Sequence, residues 1–245
     1  MSEYNEVEAL GDQLKPSPIT TNLILTCLGF SVPLGLYLSF VYSPTGGIET
    51  FLAIFFGTFV LGYIVTIMYY RMIVIHKSTP LDRGQLQSIA GTTAAAFMVV
   101  FLTLFALSVN PKLITIFENT IGIWYLSMMG NDSFLNEIFT SETFSNFREQ
   151  SDSKIFNYNF LLTRLNENNI NGFVDYFKSN CDKSDGKTPG IDFPFDFKPN
   201  FKDQGQLLKL RSLVETKRTV GYFTWIYLTS VVSLMISIIA VTMKA

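Results

Sequence analysis

Thr92-Thr93-Ala94-Ala95-Ala96 leads into an apolar run from Phe97 to Val109. Asn110-Pro111 breaks the run, and Lys112 to Met129 resumes it with one acid inside Phe117-Glu118-Asn119-Thr120-Ile121-Gly122. A residue before proline is pushed out of the helical region, so one helix is expected to end at Val109 and another to begin after the break. Isoleucines and aromatics at 114, 117, 121, 124 and 125 recur at helical spacing, with Lys112, Glu118 and Asn119 off that stripe. Two placements fit. In one, residues 112–129 form an amphipathic helix at a membrane surface, with Trp124 and Tyr125 at headgroup level. In the other they form an extra span with Glu118 paired inside it. An unpaired carboxylate is costly in hydrocarbon and the stretch is short for a span, so the surface helix is the expectation.

The rest of the chain explains why a membrane enters at all. Hydrophobic residues make up 48% of the 245 and charged residues only 16%, where a soluble domain carries about 25% charge. The shortage is uneven: uncharged or nearly uncharged blocks lie at 19–42, 48–70, 88–109 and 220–243, and the charges crowd between Asn131 and Arg218. About 20 apolar residues at 1.5 Å each cross a hydrocarbon core of roughly 30 Å. The predicted fold is a polytopic α-helical membrane protein of about four transmembrane helices, with a small α+β polar domain between the third and last spans. Its parts are a flexible tail over 1–18, a three-helix membrane region over 19–109, the 112–129 helix, a polar mixed domain over 131–218 and a C-terminal span over 219–245. The acidic N-terminus lacks the positive start of a signal peptide, so the first span is expected to act as an uncleaved anchor.

Details within the spans refine this picture. Pro33 lies mid-span, where it removes a helical hydrogen bond. Ser43-Pro44-Thr45-Gly46-Gly47 reads as a tight turn that makes the first two spans antiparallel neighbours. Ala90, Gly91, Ala94 and Ala95 give the third span a small-residue surface that another helix could approach, and Ser230, Ser233 and Ser237 share a face of the last. Tyr222, Trp225 and Tyr227 read as an aromatic belt. In the loop 71–87, Arg71, Lys77 and Arg83 against Asp82 leave +2. Ahead of the last span, Lys209, Arg211, Lys217 and Arg218 against Glu215 leave +3. With four spans these segments fall on opposite sides of the membrane, against the positive-inside tendency. A fifth span at 112–129 would put them on the same side.

In the polar domain, 155–162 alternates well enough to predict a strand, 172–177 reads as strand or helix, and Phe193, Phe195 and Phe197 form an extended aromatic segment. Leu207 to Arg218 reads as a helix leading into the last span. Glu118 is expected to pair with Lys112, Arg211 or Arg218 and so fix the polar domain against the membrane. Asn131-Asp132-Ser133 matches the glycosylation acceptor pattern.

No phosphate loop, nucleophile elbow, metalloprotease motif or cysteine pair at metal spacing is present. No catalytic, cofactor-binding or metal-ligating residue is assigned, and the chain is read as a non-enzyme without a cofactor. Cys27 and Cys181 do not suggest a disulfide, and His76 lacks ligand neighbours in the sequence. The net charge of −2 argues against nucleic acid as a partner.

At Phe117, Glu118, Asn119, Thr120, Ile121 and Gly122, with Asn110, Pro111 and the apolar run upstream, the chain resembles the internal-membrane and minor capsid transmembrane proteins of large nucleocytoplasmic double-stranded DNA viruses. The resemblance covers roughly 92–130. It implies a structural virion protein that links the internal membrane, derived from host membranes during assembly, to a capsid shell. Expected partners are then the lipid bilayer, capsid or other structural proteins contacted by 131–218, and further copies or subunits met through small-residue helix faces. A channel or transporter subunit is the alternative, supported by four spans, Pro33 and the small face of the third span. A cellular scaffold or assembly factor is another.

Overall fold

The structure is a computed structural model that describes residues 18–43, 46–73, 81–131, 134–135, 162–163, 165–166, 169–172 and 204–243. Helix α1 runs Pro18–Val41, α2 Ile48–Ile73 and α3 Arg83–Val109. After Asn110 comes a composite helix: a 3-10 turn at Pro111–Leu113, α4 at Ile114–Phe117, a π-turn at Glu118–Gly122 and α5 at Ile123–Met128. Helix α6 runs Gln204–Thr242 without interruption.

The expected α+β polar domain is overturned: the regular structure of the described residues is helical, with no strand among them. Of the strand expected over 155–162, only Leu162 is described, and it is helical. Of 172–177, only Gly172 is described, and it is helical. The aromatic segment at 193–197 lies outside the described residues, as do His76 and Cys181. Asparagines explain the helical start. Asn166 and Asn169 each accept the other's backbone N–H on a side-chain oxygen, at 3.1 and 2.8 Å respectively, a reciprocal cap that begins a turn of helix.

Four stretches are long and apolar enough to cross a membrane: Thr21–Val41, Ile48–Met72, Arg83–Val109 and Gly205–Thr242. Leu25, Val32, Phe40, Phe56 and Leu102 are each more than half exposed on these helices. Water would penalise so much contiguous apolar surface, whereas lipid solvates it. The chain is an integral membrane protein.

The chain divides into two compact units, residues up to 108 with those from 226 onward, and residues 109–225. In the first unit, the Tyr37 hydroxyl donates to the Ala53 carbonyl at 2.6 Å, and the Tyr37 ring fills the space beside Gly57. An aromatic ladder joins α2 to α3. Phe51 and Phe55 meet Phe101 edge-on with ring centres 5.3 and 5.4 Å apart, and Phe97 seats against Gly62. Such edge-to-face pairs contribute roughly 0.5–1.5 kcal/mol beyond area burial.

Three buried hydroxyls connect α2, α3 and α6. Thr66 Oγ1 lies 3.1 Å from Ser237 Oγ, which lies 2.8 Å from Thr93 Oγ1. Thr66 spends its proton on the Gly62 carbonyl at 2.8 Å, so Ser237 donates to Thr66 and Thr93 donates to Ser237. A hydroxyl has only one proton to give, and the chain therefore runs in one direction. Ser230 and Ser233 share this buried face but find no hydrogen-bond partner among the described residues. The small-residue surface of α3 behaves otherwise. Gly91, Ala94 and Ala95 are exposed, and nothing lies within 4 Å of where a Gly91 side chain would be.

Candidate functional site: a buried ion pair at the π-turn

The second unit is organised by one charge. Lys217 has no solvent exposure, and its Nζ lies 3.0 Å from Glu118 Oε1, itself only 5% exposed in its side chain. Lys217 Nζ also donates to Asn119 Oδ1 at 3.1 Å, to the Leu162 carbonyl at 2.6 Å and to the Leu165 carbonyl at 2.8 Å. Three N–H groups thus face four oxygens, and the ammonium is saturated. A buried pair holds its desolvation in check only with such geometry and such additional acceptors.

Local sequence explains how the acid and the amide reach one lysine. Pro111 at the first position of the 3-10 turn and the Leu113 N–H bonded to the Asn110 carbonyl at 3.1 Å restart the chain as a helix. The π-turn then places five residues, Glu118 to Gly122, where an α-turn would place fewer. Such widened turns recur at functional sites because they re-aim consecutive side chains, and here both Glu118 and Asn119 meet the same cation.

Two glycines let the helices approach. A side chain at Gly122 would collide with the Lys217 carbonyl oxygen, 2.6 Å away, and one at Gly221 with the Glu118 backbone nitrogen, 2.7 Å away. One turn further, the Trp225 indole N–H donates to the Leu113 carbonyl at 2.9 Å. The indole also meets the Phe117 ring edge-on at 4.9 Å. As residue numbers rise along the composite helix their partners on α6 fall, so the two segments are antiparallel.

The sequence motif divides at this site. Phe117, Glu118, Asn119 and Gly122 converge on α6, and Asn110 and Pro111 form the start of the composite helix. Thr120 bonds back to the Ile116 carbonyl at 2.8 Å and is exposed, as is Ile121. Asn131, read as a glycosylation acceptor, donates its side-chain N–H to the Leu126 carbonyl at 3.1 Å. Beside it Gly130, at φ 71°, closes the helix with a left-handed residue. The expected partners of Glu118 are not the observed one: Arg211 pairs with Glu215 at 3.1 Å, and Lys112 is exposed. Trp225, expected in an aromatic belt, is a packing and hydrogen-bonding residue. Lys217, Gly221, Leu162 and Leu165 were not foreseen. The signal for Lys217 is its place on the stripe Leu207, Leu210, Leu213, Val214, whose spacing carries it onto the buried face.

Comparison of the chain with protein-family models, with curated proteins and with solved structures finds no match.

Proposed function

We propose that this chain is a structural membrane protein of a large DNA virus particle, which holds the capsid shell to the internal membrane through residues 131–203. The observation that carries the reading is the bonding of Lys217. Its ammonium joins carbonyls of the intervening region, at Leu162 and Leu165, to Glu118 and Asn119 of the composite helix. With every N–H engaged and no solvent contact, the lysine serves as a fastener for a region displayed to partners. The viral setting rests on the resemblance at 110–122, whose residues Phe117, Glu118, Asn119 and Gly122 build that fastener.

Cross-linking on purified particles tests the reading. Lys178, Lys183, Lys187, Lys198 and Lys202 lie in the intervening region and are expected to link to coat proteins, with the chain present at a fixed ratio to them. Recovery of the chain only in membranes that carry no particle, without such links, would overturn it. The buried hydroxyls of Ser230, Ser233 and Ser237 favour a channel subunit as the second reading, and solute flux through liposomes holding the purified chain would select it.

A further inference from the structure

The geometry points to a lipid-contacting surface on the composite helix, in which the stripe Ile116, Ile121, Trp124, Tyr125, Met128 and Met129 faces bilayer lipid rather than water or protein. This stripe lies outside 131–203 in sequence and does not depend on the capsid reading.

The sequence alone sets isoleucines and aromatics at 114, 117, 121, 124 and 125 on one helical face. The π-turn divides that face. An inserted residue rotates everything after it by about 100° relative to an unbroken α-helix. Ahead of the turn, Ile114 is buried and Phe117 meets Trp225. After it, Ile123 and Leu126 take the buried positions, while Ile121, Trp124 and Tyr125 come outward. The outward residues then follow one another as Lys112, Ile116, Ile121, Tyr125 and Met129, every step being four except the one across the π-turn. Trp124 and Met128 lie beside them. Ile116, Trp124, Met128 and Met129 are each more than half exposed.

Charge indicates what covers this stripe. The composite helix holds two charged residues, Lys112 and Glu118. Glu118 is turned inward onto Lys217, so the outward stripe carries no carboxylate and a single cation at its beginning. The pairing also removes the penalty that an unpaired acid would bring to a helix in lipid. The exposed side of α6 in the same unit is of the opposite kind: Lys209, Arg211, Ser212 and Glu215 suit water. A helix face of aliphatic and aromatic side chains, with a tryptophan beside a tyrosine and a lysine at its end, matches the boundary between headgroups and acyl chains. Covalent connection keeps the stripe near that boundary. Helix α3 ends at Val109 and the composite helix starts at Pro111. Two residues extend at most about 8 Å, so the stripe begins within reach of the lipid that solvates the exposed Leu102 and Val109.

Trp124 and Trp225 are the two tryptophans of the chain, so fluorescence of the full chain in liposomes tests the contact. The Trp124 signal is the difference between the parent and Trp124→Phe, from which Trp225 drops out. In vesicles of phosphatidylcholine and phosphatidylglycerol, lipid brominated high on its acyl chains is expected to remove most of that signal. Iodide present on both faces of the membrane is expected to remove little of it. Quenching by iodide and not by brominated lipid would place the stripe in water. Protection from both would mean that a partner protein or a second copy covers it, and either result overturns the proposal. A spin label checks the stripe without tryptophan, in a chain with Cys27 and Cys181 replaced by alanine. A label at Met128→Cys is expected to collide with oxygen dissolved in the bilayer and not with a water-soluble nickel chelate, and a label at Ser212→Cys to do the reverse. Equal nickel access at the two positions would overturn the lipid contact. None of these outcomes bears on cross-links from 131–203 to coat proteins, so the two readings fail separately.

Discussion

Lys217 carries its charge without solvent contact and in reach of four oxygens. Removing one partner of such a pair leaves the other buried and uncompensated, at about 3–5 kcal/mol. Glu118→Gln and Lys217→Met are each expected to lower the melting temperature in detergent and to loosen the 131–203 region toward protease. The double variant should lose less than the two single losses together, which a double-mutant cycle measures. Unchanged melting in Glu118→Gln would remove the fastening role. The serines of α6 give the opposite sign. Ser230 and Ser233 bury hydroxyls without a partner among the described residues, so alanine at either is expected to raise stability by about 1 kcal/mol. Ser237→Ala should lower it by a similar amount, since Thr93 then loses its acceptor. Thermal unfolding of the three variants side by side decides this.

At the scale of elements, the composite helix and α6 touch through two glycines. Alanine at Gly122 meets the Lys217 backbone and alanine at Gly221 meets the Glu118 backbone, neither of which can swing aside like a side-chain tip. Overpacking of this kind destabilises by about 1–3 kcal/mol. Either substitution is expected to speed tryptic cleavage within 131–203, and unaltered cleavage would mean that the helices are not held this closely. Much of these elements was legible beforehand. Asn110-Pro111 marks the break, and the leucine stripe from Leu207 marks the lead-in to the last helix. The π-turn was not legible, because its extra residue answers to a cation 98 positions away from Asn119. The α+β expectation failed because alternation near 155–162 is a local cue. Leu162 is helical instead, and Asn166 with Asn169 shows that asparagine-rich sequence starts helices as readily as it makes turns.

For the whole molecule, four apolar helices were legible from hydropathy alone, since lipid as solvent imposes a length and a composition that no local cue has to supplement. Which faces they would bury was less so. Gly91, Ala94 and Ala95 read as suited to helix contact, yet they stay open in this chain, while Gly62, with Thr58 and Thr66 four residues to either side, accepts Phe97. Leucine at Gly62 is therefore expected to cost about 1–3 kcal/mol. Leucine at Gly91 should leave the melting of the monomer within about 0.5 kcal/mol of the parent. Equal losses at both would show that Gly91 is covered within one chain. The span between Glu118 and its lysine has one more effect, on the order of assembly in time. A ribosome adding about 5–20 residues per second completes the acid several seconds before its counter-charge exists. During that interval the carboxylate has no Lys217 to meet, so the composite helix waits unpaired until the start of α6 has been made. A nascent chain stalled before Lys217 would carry a mark of incompleteness that quality control could read.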